Sequence, residues 1–164
     1  MKILDIKKFN NPVLRKKSEE IKEVDQKTRE LMENMAYTMQ ENKGIGLAAP
    51  QVGVLKRVII VVDIENQQVL ALANPKILNK SKETEIEEEG CLSFPNIFIK
   101  IKRAVGVEIE ALDINNRKIQ LNAKGFFARE FQHEIDHLNG ILFFNRLDFI
   151  HKLIFKLRHP FLKM

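Results

Sequence analysis

Apolar residues recur along this chain with two different periods, and the changes of period divide it into elements. Over residues 25–42, Leu31, Met35 and Met39 return every four residues with Met32 and Ala36 beside them. That spacing predicts a helix capped by Asp25 and followed by Gly44, with its methionines packed in the core. Residues 57–64 are a nearly continuous run rich in β-branched side chains, which predicts a buried strand, and residues 69–73 can pair back onto it across Asn66-Gln67. Five acids crowd residues 83–89 and predict an exposed strand. Val105, Val107, Ile109 and Ala111 alternate with polar residues, and Asn115-Asn116 turns the chain into residues 118–121 as a hairpin. Helical spacing returns over 125–139, where Gly140 stops it, and again over 147–158. The order of helix, several strands and helix predicts an α+β fold. Antiparallel strands would wrap around the helix at 125–139, and a C-terminal helix would follow, in a single domain spanning 1–164.

Composition narrows the class. Apolar residues make up 45% and charged residues 30%, an ordinary globular mixture. No apolar run approaches the ~18–20 residues of a membrane span, and the first residues lack a signal peptide's apolar stretch. A cytoplasmic protein with no membrane partner is expected. One cysteine rules out an intrachain disulfide, so its thiol needs another explanation. The net charge is +5, of which the last twenty residues carry +4: Arg146, Lys152, Lys156, Arg158 and Lys163 against Asp148. Such a tail is read as a solvated basic helix face ahead of a nucleic-acid contact.

The chemistry concentrates in His133-Glu134-Ile135-Asp136-His137. Two histidines four apart in a helix share a face and can grip one metal ion, while Glu134 can reach a water there without being a ligand. The competing explanation is a pair of core histidines satisfied by hydrogen bonds. Downstream residues complete no protease site: Phe143 stands where a metzincin would have its third histidine, and Asp148 is placed to begin the next helix. The lone Cys91, in Glu89-Gly90-Cys91-Leu92-Ser93, is the natural third ligand, and three protein ligands leave a position open, as in catalytic sites. Gly44-Ile45-Gly46-Leu47-Ala48-Ala49-Pro50-Gln51 lacks the Lys-Ser/Thr ending of a phosphate loop. Its small residues admit another backbone, and Gln51 offers a neutral donor to an oxyanion.

Together the Gly44–Gln51, Glu89–Ser93 and His133–His137 segments resemble the peptide deformylase family, which removes formate from the N-terminal formylmethionine of new proteins. The resemblance implies one divalent metal on Cys91, His133 and His137, iron(II) in the cell, with zinc, nickel or cobalt able to replace it. It implies Glu134 as general base and acid, and Gln51 with the Leu92 backbone N–H as oxyanion donors. Nascent formyl-Met peptides would lie extended beside Gly46, with Ile45, Phe126 and His133 walling the methionine pocket. The ribosome becomes a partner for the basic tail at 147–164. Two residues depart from the family pattern: Phe98 stands where some members have a peptide-contacting arginine, and Glu130 where a small apolar residue borders the pocket. A zincin-type endopeptidase and a structural or inactive metal-binding module are the alternatives.

Overall fold

The computed structural model describes residues 1–162, and Lys163 of the basic tail lies outside them. After a short 3-10 turn at Pro12–Arg15, the chain forms α1 (Gln26–Glu41). Asp25 caps it, accepting from the Thr28 N–H at 2.8 Å. Strands β1 (Gly46–Ala48), β2 (Val58–Asp63) and β3 (Gln68–Lys80) follow, then β4 (Thr84–Cys91) and β5 (Phe94–Ala104), then β6 (Gly106–Leu112) and β7 (Lys118–Lys124). Helices α2 (Gly125–Leu138) and α3 (Phe149–Arg158) complete it. Five strands form one antiparallel sheet in the order β1-β2-β3-β6-β7, and β4 and β5 form a separate hairpin.

The buried run in β2 has a simple cause. Ile59 and Val61 point to one face and pack with Phe131, Ile135 and Leu138 of α2. Val58 and Ile60 point to the other and pack with Met32, Met35 and Met39 of α1. With helices on both faces, alternation disappears from the sequence. The methionines are core, as the spacing predicts. The β4-β5 hairpin clasps α2 on its remaining side, where the Gln132 amide bonds both backbone groups of Ala104 at 3.2 and 2.9 Å. Eleven consecutive residues of α2, Ala128 to Leu138, are therefore buried.

Several expectations change. The strand predicted at 69–73 runs on to Lys80, because a register shift between Ala73 and Lys76 absorbs Pro75 without losing the ladder. Strand β5 has no counterpart among the predicted elements, since Pro95 reads as a loop residue yet is tolerated near the start of a strand. Within the Gly44–Gln51 motif only Gly46–Ala48 is strand, and Ala49–Val52 turns as a 3-10 helix. The acidic run is not uniformly exposed: Glu87 and Glu88 face solvent, whereas Glu89 is 5% exposed. The outer surface of α3 is not simply basic either, because Phe149, Ile150, Leu153, Ile154 and Leu157 are all exposed on it. No helix among the described residues is long and apolar enough to cross a membrane.

Gly140 ends α2 as the sequence predicts, and it does more than stop the helix. Its φ of 70° is left-handed, and a Cβ there would lie 2.5 Å from the Arg15 carbonyl oxygen. Gly140→Ala is expected to lower stability by about 1–3 kcal/mol, from strain and displaced backbone together, read as a lower denaturant midpoint at unchanged slope.

Candidate active site

The motif helix delivers its two histidines as the i, i+4 rule requires: His133 Nε2 and His137 Nε2 lie 3.2 Å apart. Cys91, 46 residues earlier at the end of β4, places its Sγ 3.2 Å from His137 Nε2. The pairing register of the hairpin shifts between Glu89 and Cys91, and Gly90 fills the irregularity. These three residues are a cluster able to hold a metal ion among the described residues. The separations are close to the ~3.3–3.6 Å expected between nitrogen and sulfur donors around a tetrahedral ion with bonds of ~2.0–2.3 Å. The donor set fits as well, since two facing imidazole nitrogens can share only one proton between them, whereas a cation satisfies both nitrogens and the thiolate.

His133 is held from behind. Its Nδ1 lies 3.0 Å from Glu89 Oε2, and a carboxylate can only accept, so Nδ1 carries the proton and Nε2 presents its lone pair. Glu89 is anchored in turn by Arg103, whose Nε and Nη2 donate at 2.9 and 3.0 Å, and by Arg129 Nη1 at 2.8 Å. Arg103 also pairs with Asp136 of the motif helix, and Arg146 grips the same carboxylate. Burial alone would raise the Glu89 carboxyl, but the hydrogen bonds from His133 and Arg103 outweigh it and hold it well below the usual carboxylate range. In the metal-free chain, burial of His133 is likewise opposed and overcome by hydrogen bonds with Cys91 and Glu89, which favour a second proton at Nε2, the position a bound cation would take instead. Burial, reinforced by the charge on His133, keeps His137 neutral.

Glu134 is 2% exposed, and its Oε2 has no hydrogen-bond partner among the described residues. Burial pushes its carboxyl up to about 8, with His133 opposing and the neighbouring acids Glu130 and Glu89 adding to the rise. A buried acid with an unused oxygen beside three converging ligands is poised to hold or move a proton. Gln51 is also fixed: Oε1 accepts from the Ala48 N–H at 2.8 Å, which turns Nε2 toward Cys91 Sγ at 3.4 Å and Ser93 Oγ at 3.2 Å. The tight approach that the glycines imply is real at Gly46, where an added Cβ would collide with Glu134 Oε1 and lie 3.0 Å from Glu130 Oε2.

A cleft of about 630 Å³ is lined by Ile45, Gly46, Gln51, Cys91, Leu92, Phe126, His133 and Glu134, and His137 contacts the Cys91 and His133 of that lining. The structure thus brings together all the residues singled out in the sequence. It also places the two departures in the same cleft. Phe98 lies over Gly90 and is 63% exposed at the rim, and Glu130 is 8% exposed. Sequence reasoning missed the buried ionic chain of Glu89, Arg103, Arg129 and Asp136. One signal was present for Arg129, which lies four residues before His133 and so shares its face of the helix. None separated Glu89 from its acidic neighbours.

Comparison with known proteins points one way. The sequence model of the polypeptide deformylase family matches residues 3–152. The peptide deformylase of Halothermothrix orenii is 46% identical over 147 residues, covering 90% of this chain and 95% of that protein. That of Thermodesulfovibrio yellowstonii is 45% identical over 160 residues, covering 95% and 96%. The crystal structure of the Thermus thermophilus enzyme superposes with a TM-score of 0.92 at 37% identity, covering 96% of this chain and 93% of that one. An Acinetobacter baumannii peptide deformylase solved with Met-Ala-Ser bound superposes at 0.83 with 35% identity, covering 88% and 98%. With a cluster able to hold a metal ion, its clasped motif helix and relatives matched over nearly their full length, this chain belongs to the polypeptide deformylase family.

Proposed function

We propose that this protein removes the formyl group from the N-terminal formylmethionine of newly made proteins in the cytoplasm. The observation that carries the reading is the convergence of Cys91, His133 and His137 beside the unpartnered Glu134 oxygen in a cleft that also holds Gln51. Cys91 Sγ, His133 Nε2 and His137 Nε2 would hold one divalent metal, iron(II) in the cell, and this mixed sulfur and imidazole set also suits zinc, nickel or cobalt. The metal supplies Lewis acidity, which lowers the pKa of water and polarises the formyl carbonyl.

The protein's own residues do the rest. Glu134 accepts a proton from the attacking water at Oε2 and returns it to the departing amine nitrogen, so formate and a free N-terminus are the products. Gln51 Nε2 and the Leu92 backbone N–H donate to the carbonyl oxygen as it gains negative charge, with Gln51 pre-aimed by Ala48 and therefore needing little rearrangement. The peptide adds as an extended strand beside Gly46 on the free edge of β1, and Ile45, Phe126 and the His133 ring wall its first side chain. The Met-Ala-Ser bound to the Acinetobacter relative is the kind of peptide this edge would hold.

The test is formate release from formyl-Met-Ala-Ser by anaerobically prepared iron(II) protein, run beside casein digestion. Formate without casein cleavage is expected. Casein cleavage without formate would make the protein a zincin-type endopeptidase, and stoichiometric metal with neither activity would make it a structural or inactive module.

Gly46 provides an independent check on Glu134. Gly46→Ala is expected to keep the fold and the metal while displacing the Glu134 carboxylate, with turnover falling on the order of 10²-fold. Unchanged turnover would mean that Glu134 does not need its present position.

A further inference from the structure

Helix α3 is amphipathic twice over. Phe155 is its one buried residue, stacked on Phe144 with ring centroids 5.5 Å apart. Leu162 beyond the helix is also buried, so the element is tied down at both its middle and its end. On the opposite side Phe149, Ile150, Leu153, Ile154 and Leu157 are 83%, 67%, 53%, 40% and 74% exposed. At 3.6 residues per turn these five share one stripe centred roughly 160° from Phe155. Lys152 and Lys156 border the stripe on one edge and Arg158 on the other, and none of the three pairs with an acid among the described residues.

We propose that this outer face of α3 is a docking surface for an anionic phospholipid membrane, on which the helix lies in the plane of the interface. The arrangement matches what such a surface demands: large apolar side chains project furthest to enter the acyl boundary, and cations at both edges meet the headgroups. Other occupants fit less well. An RNA would use the bases but leave five apolar side chains against phosphate and water. A second copy would bring like-charged edges together, and one face of a helix ~15 Å long supplies well under the ~1,000 Å² of a stable interface. The expectation of no membrane partner rested on the lack of a spanning segment, which does not bear on a helix lying flat. A single short helix gives weak, reversible association. The inference is independent of the catalytic reading.

The test uses the full chain loaded with metal and vesicles of phosphatidylcholine, with and without phosphatidylglycerol. Co-sedimentation is expected with the anionic vesicles, falling as salt rises, and little with the neutral ones. Leu153→Glu with Leu157→Glu alters exposed positions, so the fold, checked by circular dichroism and thermal midpoint, should hold while vesicle binding falls more than about tenfold. Lys152→Glu with Lys156→Glu should weaken binding to anionic vesicles by a similar factor through charge alone. The proposal fails if anionic vesicles do not bind the protein, or bind both variants as well as the parent. It also fails if the protein co-sediments with ribosomes instead and the Leu153→Glu, Leu157→Glu variant still does so, which would assign the tail to RNA. A concentration-dependent dimer abolished by that variant, without vesicle binding, would assign the face to a second copy.

Discussion

Glu134→Gln is expected to emerge folded and with near-stoichiometric metal, yet to release formate on the order of 10²–10⁴-fold more slowly. The helix explains the first half. His133 and His137 take the positions one turn apart that face Cys91, so Glu134 stands beside the cluster rather than in it. Glutamine keeps the volume and a hydrogen-bonding group but cannot accept a proton at the position of Oε2. Cys91→Ala should show the reverse order of symptoms, with metal lost first and inactivity following, because the two imidazoles alone make a two-ligand site. Metal content by atomic spectroscopy and the rate of formate release separate the cases. Metal-free Glu134→Gln, or Cys91→Ala retaining both metal and rate, would mean that the roles are wrongly assigned even within the right family.

Glu89→Gln should be the most damaging single change outside the metal cluster. Its carboxylate compensates two buried guanidinium groups, Arg103 at 4% and Arg129 at 1% exposed, and orients His133 as well. An amide of the same shape removes the closest counter-charge of both buried cations, leaving Arg103 with Asp136 and Arg129 with the more distant Glu85 at 3.7 Å, at a cost of about 3 kcal/mol. It also presents an N–H₂ to a ring of donors, so His133 loses its fixed tautomer and metal affinity should weaken about 10–100-fold. Denaturant titration of the metal-free protein reads the first effect and competition with a chelator the second. Glu87→Gln, two residues away in the same acidic run but exposed, should change stability by no more than about 0.5 kcal/mol. Equal effects at the two positions would remove the ionic chain from the account of the site.

The contrast between Glu87 and Glu89 shows where the sequence stops being informative. Five acids in seven residues look alike to any rule based on local charge. Which one turns inward depends on how β4 pairs with β5, where Glu89 sits opposite Ile99, and on α2 passing beneath with Arg129 and His133. Strand β5 was lost for a related reason, because Pro95 punctuates the local pattern while the strand itself is fixed by its partner. The apolar face of α3 was legible as periodicity, but periodicity does not say which of two faces a helix buries. A single residue, Phe155, packs inward against Phe144 and leaves the larger stripe outside.

What the sequence by itself determined is whatever depends on near neighbours and on residue chemistry. The i, i+4 histidines, the glutamate beside them, the single thiol, the glycine that ends α2 and the methionine face of α1 all follow from the helical repeat, from capping and from the donor inventory of the side chains. The three short motifs then sufficed to imply the family. The tertiary structure alone decided the connections across 14, 40 and 44 residues that tie Glu89 to Arg103, Arg129 and His133. It also decided the close approach of Gly46 to Glu134 and the exposure of α3. The physical reason is that a buried charge is tolerated only where several partners arrive together. That arrival is set by strand register and helix packing, which no local pattern encodes.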